Sequence, residues 1–395
     1  MRFDAAIRVA QYDDVAGVWR LRLKSGATVS SRAVISAVGA LHLPAFPVIK
    51  GLELFQGRAF HSSAWDETFD LAGKSVGVIG TGASAVQITP SIAPLVKQLA
   101  LFQRTPSWIL PRRDSAFSAR ARRRFRSFPV LQWLFRHLIY WRMEMGVLGF
   151  LGNHGLMQQI EKMALTYLER SIPDEKLRAA LTPDYAIGCK RILVSDDFYA
   201  AMTRNNVELV TEPISEATSD GIVTTDGSLR KLDALIYATG FRANDLLSEV
   251  AVMGRGGRRL SDDWRAGAEA YYGIAVSGYP NFFMLLGPNT GLGHNSIIFM
   301  IEAQVRYTMD CLGWLLRDGA GDIEVRADVQ RKFNDALKQR MSRTVWQSGC
   351  KSWYLNENGT NSTIWPDHTV GYWWRTRYAR KADFALRQAV VPAKA

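Results

Sequence analysis

The chain has 395 residues, of which 47% are hydrophobic and 22% charged, and its 49 Lys+Arg against 37 Asp+Glu give a formal net charge of +12. This length predicts two or three domains that each bury a core, and the composition excludes disordered, collagen-like and low-complexity proteins. The surplus of positive charge indicates an anionic partner: nucleic acid, a membrane surface or an anionic ligand.

The cysteine and histidine positions predict no metal site. The three cysteines lie far apart without a CxxC pair, and the six histidines do not cluster. The first ten residues carry no apolar run of the kind found in signal peptides, so we expect a cytoplasmic protein. The most apolar stretch, residues 128–151, is interrupted by charged side chains, which favours a buried or surface-docked helical pair over a transmembrane helix.

The chain opens with the pattern of a β-meander. Residues 3–11 form one apolar run, and Val18–Leu23 alternates apolar and charged residues as a half-buried strand does. An apolar strand over residues 34–38 then ends at Gly39. The fold is therefore predicted to begin with short sequential strands.

A β-α-β unit is predicted over residues 74–102, where a short apolar strand, a glycine turn, a helix and a second strand follow one another. Such a unit requires a parallel sheet. Residues 112–181 are rich in arginine and aromatic residues at helical spacing, which indicates an inserted helical subdomain. Strand signals return at residues 207–210, 221–224 and 235–238, and the tail after Arg380 is predicted to be helical.

The glycine turn of this unit carries the strongest chemical signal. It has the G-x-G-x-x-A pattern of a dinucleotide site, formed by Gly80, Thr81, Gly82, Ala83, Ser84 and Ala85. The first glycine permits the tight turn, the second lets backbone N–H groups reach a pyrophosphate, and the small last residue allows close packing of helix on strand. The strand before the motif and the helix after it make it specific. The alternative is a coincidental tight turn.

The residues after the second strand predict NADPH rather than NADH. An NAD site usually places an acidic residue there for the ribose hydroxyls. This chain has Arg104 and Thr105, and a cation beside a hydroxyl suits a 2′-phosphate. The alternative is a solvated arginine at a strand end.

A longer pattern precedes the dinucleotide strand and resembles a known family. Residues 55–66 read F-x-G-x-x-x-H-x-x-x-W-D. This pattern is similar to the fingerprint of the Baeyer–Villiger monooxygenases, class B flavoprotein monooxygenases related to the flavin-containing monooxygenases. Five further blocks resemble the family in order along the chain: residues 102–106 (F-Q-R-T-P), 188–191 (G-C-K-R), 238–241 (A-T-G-F), 287–291 (G-P-N-T-G) and 352–354 (S-W-Y).

The resemblance implies an α/β flavoprotein with two dinucleotide-binding domains. Residues 71–111 and 185–241 would form a Rossmann-like NADP domain, and residues 112–184 a helical insertion. Residues 1–70 and 242–395 would form an incomplete FAD domain that includes the β-meander. The implied cofactors are FAD and NADPH.

The resemblance also implies a reaction. NADPH reduces FAD, O₂ adds to the reduced flavin, and a flavin peroxide transfers one oxygen to a ketone or to a soft heteroatom of a sulfide or amine. Arg191 matches the arginine that stabilises the peroxide anion. Lys190 matches a lysine that would join Arg104 and Thr105 in a clamp for the 2′-phosphate. Without the family, the interpretation of Lys190 and Arg191 would be a solvated pair in a surface loop.

Other residues receive roles by the same resemblance. His61 would couple the two nucleotide domains rather than act as a base, and Trp353 would lie near NADP, with core packing as the alternative. Gly39 and Asn289 are assigned to the flavin side of the site, and His294 is either a residue lining that side or an ordinary loop histidine.

The chain departs from the family at its start. The FAD half of such enzymes begins with its own glycine-rich turn, and no such motif occurs before Gly80. We therefore expect an N-terminally shortened enzyme that holds FAD weakly. The alternative function is a non-catalytic NADP-binding protein that has lost flavin chemistry.

The arginine-rich residues 120–126 have three interpretations. The favoured one is a solvated helix face. Weak association with a membrane surface is the second, because aromatic residues follow downstream, and nucleic-acid binding is the third.

Overall fold

The computed structural model describes residues 1–350 and 352–388. Its strands are β1 (Ile7–Asp13), β2 (Val18–Leu23), β3 (Thr28–Ser31), β4 (Val34–Ser36), β5 (Arg58–His61), β6 (Ser75–Ile79), β7 (Gln98–Phe102), β8 (Ile109–Leu110), β9 (Leu193–Val194), β10 (Val207–Val210), β11 (Ile214–Thr218), β12 (Gly221–Thr224), β13 (Leu229–Lys231), β14 (Ala234–Tyr237), β15 (Ala251–Met253), β16 (Phe282–Met284), β17 (Ala320–Val325) and β18 (Phe384–Gln388). Its α-helices are α1 (Ala83–Ile92), α2 (Ala119–Ser127), α3 (Pro129–Met145), α4 (Val147–Phe150), α5 (His154–Ser171), α6 (Glu175–Leu181), α7 (Phe198–Met202), α8 (Leu260–Asp263), α9 (Ile297–Arg317), α10 (Ala327–Met341) and α11 (Thr369–Arg375). Short 3-10 helices cover Leu52–Leu54, Arg255–Gly257, Val345–Gln347 and Lys381–Asp383.

The chain forms two compact units. Unit 1 contains residues 1–42, 134–152 and those from 243 onward, and unit 2 contains residues 43–133 and 153–242. The first division between the units falls at residue 43, whereas the predicted domain boundary was at residue 70. The fingerprint over residues 55–66 therefore lies in the same unit as the glycine turn. The assignment of each unit to one cofactor stays a prediction.

Unit 2 is built on a five-stranded sheet in the order β10-β7-β6-β14-β5, in which every neighbouring pair is parallel. The central strands are almost continuously apolar because both faces of the sheet are covered. On one face, Leu99 and Leu101 of β7 pack with apolar residues of α1, α5 and α7. On the other, Ala100 and Phe102 pack with residues of β10, β11 and β12. The predicted parallel sheet is confirmed.

Strand β5 was not predicted, because the sequence around residues 58–61 is typical of a packed linker. Residues Arg58–His61 pair in parallel with β14, and His61 lies opposite Tyr237. The pairing brings the fingerprint histidine to the carboxyl end of the sheet, where the glycine turn also lies.

Unit 1 contains the predicted meander, because β1 pairs antiparallel with β2, and β2 with β3. Trp19 of β2 is fully buried, and its Nε1 donates to the Pro280 carbonyl at 2.7 Å. Strands β4 and β16 form a parallel pair, and among the described residues β4 has no second neighbour. Helix α9 buries Met300, Tyr307 and Cys311, one apolar face of its 3.6-residue period.

The prediction of a helical tail after Arg380 was wrong. Residues Lys381–Asp383 form a single 3-10 turn, and β18 then pairs antiparallel with β17. Phe384 at the start of β18 is buried in the core of unit 1, and this burial favours the strand. The end of the predicted helix, residues 389–395, lies outside the described residues.

Residues 112–184 are helical as predicted, and contain α2 to α6. Within residues 1–350 and 352–388, none of the helices combines the length and hydropathy that crossing a bilayer requires.

Candidate functional site

The glycine turn lies where β6 ends and α1 begins. Gly80 has φ +112°, and a Cβ there would lie 2.5 Å from the carbonyl oxygen of Ala238, so no other residue fits without displacing backbone. Around Gly82 a Cβ would meet nothing within 4 Å. No side chain caps α1, whose first N–H groups therefore remain available to an anion above Gly82.

Hydrogen bonds tie this turn to the end of the neighbouring strand. The Gly80 N–H donates to the Phe102 carbonyl at 3.0 Å. The Thr81 hydroxyl donates to the Thr105 carbonyl at 2.6 Å, and the Ser107 hydroxyl donates to the Thr81 carbonyl at 2.8 Å. The residues after β7 are thereby held beside the turn.

Two cations of unit 2, Lys190 and Arg104, interact electrostatically, and no described acidic residue forms an ion pair with either of them. Lys190 is half-buried, with Nζ 4.4 Å from the centre of the Tyr185 ring, and Arg104 is exposed. Burial and then the charge of Arg104 lower the pKa of Lys190, and Asp184 offsets this only in part. Neither cation forms an ion pair with any residue that the structure describes. Two cations held in mutual repulsion would be stabilised by a bound anion such as a phosphate.

His61 is a neutral, fully engaged histidine. Its Nε2 lies 3.0 Å from the Gly240 carbonyl and must donate, so Nδ1 is the acceptor of the Ser63 backbone N–H at 3.2 Å. The Ser63 hydroxyl also lies 2.7 Å from Nδ1, and the rings of Phe46 and Phe241 pack edge-on against the imidazole. Burial lowers the pKa of His61. With both nitrogens occupied, His61 connects β5 to the segment after β14 and is not placed as a free base.

Arg191 follows Lys190 directly and is exposed. Its segment begins at Gly188, which has φ +89°, and its guanidinium forms no ion pair within the described residues. The structure therefore leaves this charge open to a ligand of unit 2.

The other predicted residues lie in loops of unit 1. Gly39 follows β4 with φ +73° and open space around a Cβ. The Asn289 side chain donates to the carbonyls of Asn361 and Ile364, so it shapes its own loop. Trp353 is 41% exposed and stacks at a tilt on Tyr354, which argues against the core-packing alternative.

A buried carboxylate of unit 1, Glu144, and the groups around it were not predicted from the sequence. We call them the Glu144 cluster. Glu144 is 1% exposed and accepts hydrogen bonds from the Thr369 hydroxyl at 2.6 Å, the Asn295 amide at 2.7 Å and the Val370 N–H at 3.0 Å. Burial alone would raise its pKa, but these bonds and the contact with His294 outweigh it and lower the pKa to about 2.

His294 lies beside this carboxylate. Its side chain is 2% exposed, and its Nε2 is 3.6 Å from Glu144. Neither ring nitrogen forms a hydrogen bond within the described residues. In the described part of the chain, no group of three His, Cys, Asp or Glu residues is placed to hold a metal ion. Nothing in the local sequence indicates this cluster, because its members lie far apart in the chain: on α3, on α11 and in the loop that precedes α9.

The residues present fit NADP well and the flavin only in part. Unit 2 supplies the open backbone at Gly82, the uncapped start of α1 and the cations Arg104 and Lys190. Unit 1 supplies open backbone at Gly39, but the described residues include no second glycine turn between a strand and a helix for the flavin's pyrophosphate.

Comparison with known proteins identifies the family. Residues 27–252 match the family model described as flavin-binding monooxygenase-like. A Baeyer-Villiger monooxygenase of Pseudomonas aeruginosa is 47% identical over 368 residues, which cover 93% of this chain and 69% of that protein. A Baeyer-Villiger monooxygenase of Streptomyces coelicolor is 41% identical over 397 residues, covering 100% of this chain and 76% of that protein.

Solved structures agree. A crystal structure of cyclohexanone monooxygenase from Rhodococcus sp. Phi1 bound to NADP⁺ matches with a TM-score of 0.87 and 25% identity, over 98% of this chain and 81% of that chain. The fold is that of a two-dinucleotide-domain flavoprotein, and the protein is a monooxygenase. The chain belongs to the flavin-binding monooxygenase-like family, and the predicted cofactors, FAD and NADP, are confirmed.

Replacing both Arg104 and Lys190 with alanine should weaken NADPH binding and spare NADH binding. Each charge-assisted bond to a phosphate contributes about 1.5–3 kcal/mol, so we expect the Kd for NADPH to rise by about 100-fold or more. Titration calorimetry with both nucleotides measures the ratio. Lys97→Ala, an exposed lysine just before the start of β7, is the matched control and should leave both affinities unchanged. An equal loss for NADH and NADPH would contradict the clamp.

Replacing Glu144 with glutamine should cost about 2–4 kcal/mol of folding free energy at neutral pH, since donors that face a carboxylate would meet an amide. The folded pKa of about 2 lies below the ordinary 4.5, so the carboxylate's contribution is present above pH 4.5 and is lost as the pH falls towards 2. Denaturant unfolding between these pH values should therefore show a steeper loss for wild type than for Glu144→Gln. Glu302→Gln, an exposed glutamate on α9, is the control. Parallel pH profiles for wild type and Glu144→Gln would refute this role.

Proposed function

We propose that this monooxygenase is a Baeyer–Villiger enzyme that converts a small ketone into an ester or lactone. One atom of O₂ enters beside the carbonyl carbon, the other leaves as water, and NADPH supplies the two electrons. Two relatives with 47% and 41% identity bear the name Baeyer-Villiger monooxygenase, which supports a ketone as the substrate. A sulfide or amine remains the second substrate class, because both groups accept an oxygen from the same chemistry.

The observation that carries the proposal is the pair of cations beside the open glycine turn. The charge of Arg104 acts on Lys190, and neither cation forms an ion pair with a described residue. Thr105, the residue after Arg104, is hydrogen-bonded to Thr81 in the turn that leads into the uncapped start of α1. We assign the 2′-phosphate of NADPH to Lys190, Arg104 and the hydroxyl of Thr105. The pyrophosphate would lie on the backbone from Gly80 to Ala85. The nicotinamide would then extend along the carboxyl end of the sheet, as ligands do at the switch point of a doubly wound fold.

FAD, when bound, supplies the activation of O₂. We assign to Arg191 the fixed positive charge beside the developing anion, because a guanidinium stays protonated at any working pH. Trp353 is assigned to the nucleotide, which its exposure permits. His61 holds its proton on Nε2 against Gly240, and we propose that it couples strand β5 to the segment after β14.

The proposed setting is the cytoplasm, where NADPH is available. The proposed partners are a small-molecule substrate and O₂, without nucleic acid.

The function is tested by incubating the purified chain, supplemented with FAD, with NADPH, isotopically labelled O₂ and either cyclohexanone or a thioether. One labelled oxygen in a lactone supports the proposal, and label only in a sulfoxide supports the second substrate class. NADPH binding without an oxygenated product from either compound would instead support the non-catalytic alternative.

Replacing Arg191 with alanine should lower the rate of product formation by about 100-fold or more, the usual cost of losing a donor to an anionic transition state. Arg191→Lys should recover part of the rate, since it restores a charge without the planar fork. The Kd for NADPH should change by less than the rate does. Arg170→Ala, an exposed arginine on α5 of the same unit, is the control. A rate that survives in Arg191→Ala would remove Arg191 from the catalytic residues.

A further inference from the structure

Residues 115–143 form the most basic stretch of the chain. They contain seven arginines and no acidic residue, since the flanking acids are Asp114 and Glu144. Five of these arginines form the basic run of α2, namely Arg120, Arg122, Arg123, Arg124 and Arg126. All five are exposed, and none forms an ion pair with any residue that the structure describes. The favoured interpretation of these residues, a solvated helix face, explains why the arginines are exposed. It does not explain the exposed apolar residues of the helix that follows.

Helix α3 begins two residues after α2 ends and carries apolar residues on its surface. Spacings of 3, 4, 3 and 4 place five of them on one line along the helix, which we call the outer stripe: Leu131, Leu134, Leu138, Trp141 and Met145. All five are exposed, and Leu138 reaches 66%. An apolar stripe of this length on a soluble helix ordinarily faces a core or a partner.

The neighbouring side of α3 is the one that contacts the protein. The Tyr140 hydroxyl donates to the Thr369 hydroxyl at 2.9 Å, since the Thr369 proton is donated to Glu144, and the Tyr140 ring packs on Phe299. Glu144 is buried one turn further on. The contacts at Tyr140 and Glu144 fix the rotation of this end of the helix. The outer stripe is therefore held away from the core of unit 1.

We propose that α3 docks this protein on an anionic membrane surface. The outer stripe would enter the boundary between headgroups and acyl chains. The basic run, which a single residue joins to α3 in the chain, would thereby be brought to lipid phosphates and carboxylates. Arg142 lies beside the outer stripe on the helix and can extend along the apolar surface to the headgroups, and Trp141 suits the interface. The helix lies on the bilayer and does not cross it, in agreement with the finding on spanning helices above.

Charge selects this occupant over a second copy of the chain. Self-association through the outer stripe would bring together two segments that each carry seven arginines and no acid. An anionic bilayer compensates the same charges. The inference does not depend on the proposed reaction.

The test is co-sedimentation of the full chain with vesicles of phosphatidylcholine alone or mixed with phosphatidylserine, at low and high salt. We expect binding to the mixed vesicles, weakened by salt, and little binding to the neutral ones. Arg123→Gln with Arg124→Gln should weaken binding by about 10- to 30-fold, as expected for two arginines near a charged surface. Leu134→Glu with Leu138→Glu should abolish it.

Two control pairs match these changes in charge. Arg170→Gln with Arg204→Gln, and Val15→Glu with Leu229→Glu, alter exposed residues outside α2 and α3 and should bind as wild type does. Thermal unfolding confirms that each variant is folded. Binding that is absent, indifferent to the lipid charge or equally reduced in the control pairs would overturn the proposal. So would sedimentation of wild type as a dimer that Leu134→Glu with Leu138→Glu dissociates without any lipid binding.

Discussion

The close approach of Gly80 to the Ala238 carbonyl is the constraint on which unit 2 depends. Parallel strands β6 and β14 lie side by side, and the chain must leave β6 through a turn that touches the end of β14. A side chain at Gly80 would separate the two strands at their carboxyl ends. With glycine there, the Gly80 turn, the residues after β7 and the Gly240 carbonyl that receives the His61 proton all belong to one edge of one sheet.

Some charged side chains of unit 1 are compensated by neighbouring groups, whereas two cations of unit 2 form no ion pair within the described residues. Glu144 is enclosed by donors that compensate its charge, and Arg255 forms ion pairs with Asp14, Asp322 and Glu324. Because each of these buried or half-buried charges has partners, removal of one partner would destabilise unit 1. Arg104 and Lys190 form no ion pair within the described residues, and Asp184 offsets the repulsion between them only in part, so a bound anion would stabilise both.

Strands with a strong local pattern could be predicted, and those defined by distant partners could not. Apolar and charged residues alternate over Trp19–Leu23 in β2, and the bounds of β10 and β12 were predicted correctly from their apolar runs. Strand β5 is only four residues long and carries an arginine, so its own sequence gives a weak strand signal. It forms because it pairs with β14, which lies far along the chain. The same distance hid Glu144, whose partners follow it by more than 140 residues. Motif spacing found the glycine turn and Arg104 because these residues lie in one β-α-β unit, whereas Lys190 was assigned only by its resemblance to the family.

The direction in which a helix faces is the information that sequence periodicity lacks. The 3-4 spacing of the outer stripe on α3 is the same whether the stripe faces a core or solvent, so the sequence allowed a buried helix as readily as a docked one. The side chains of Tyr140 and Glu144 resolve this, because their contacts with α11 commit the neighbouring side of the helix to the protein. Part of the net positive charge of the chain can then be placed in the structure. Seven arginines belong to the segment that carries the outward apolar stripe, and we propose that two further cations, Arg104 and Lys190, bind the nucleotide. Within the described chain neither group forms ion pairs, and we propose a different anion for each: a single phosphate at the end of a strand for Arg104 and Lys190, and an extended anionic surface for the seven arginines.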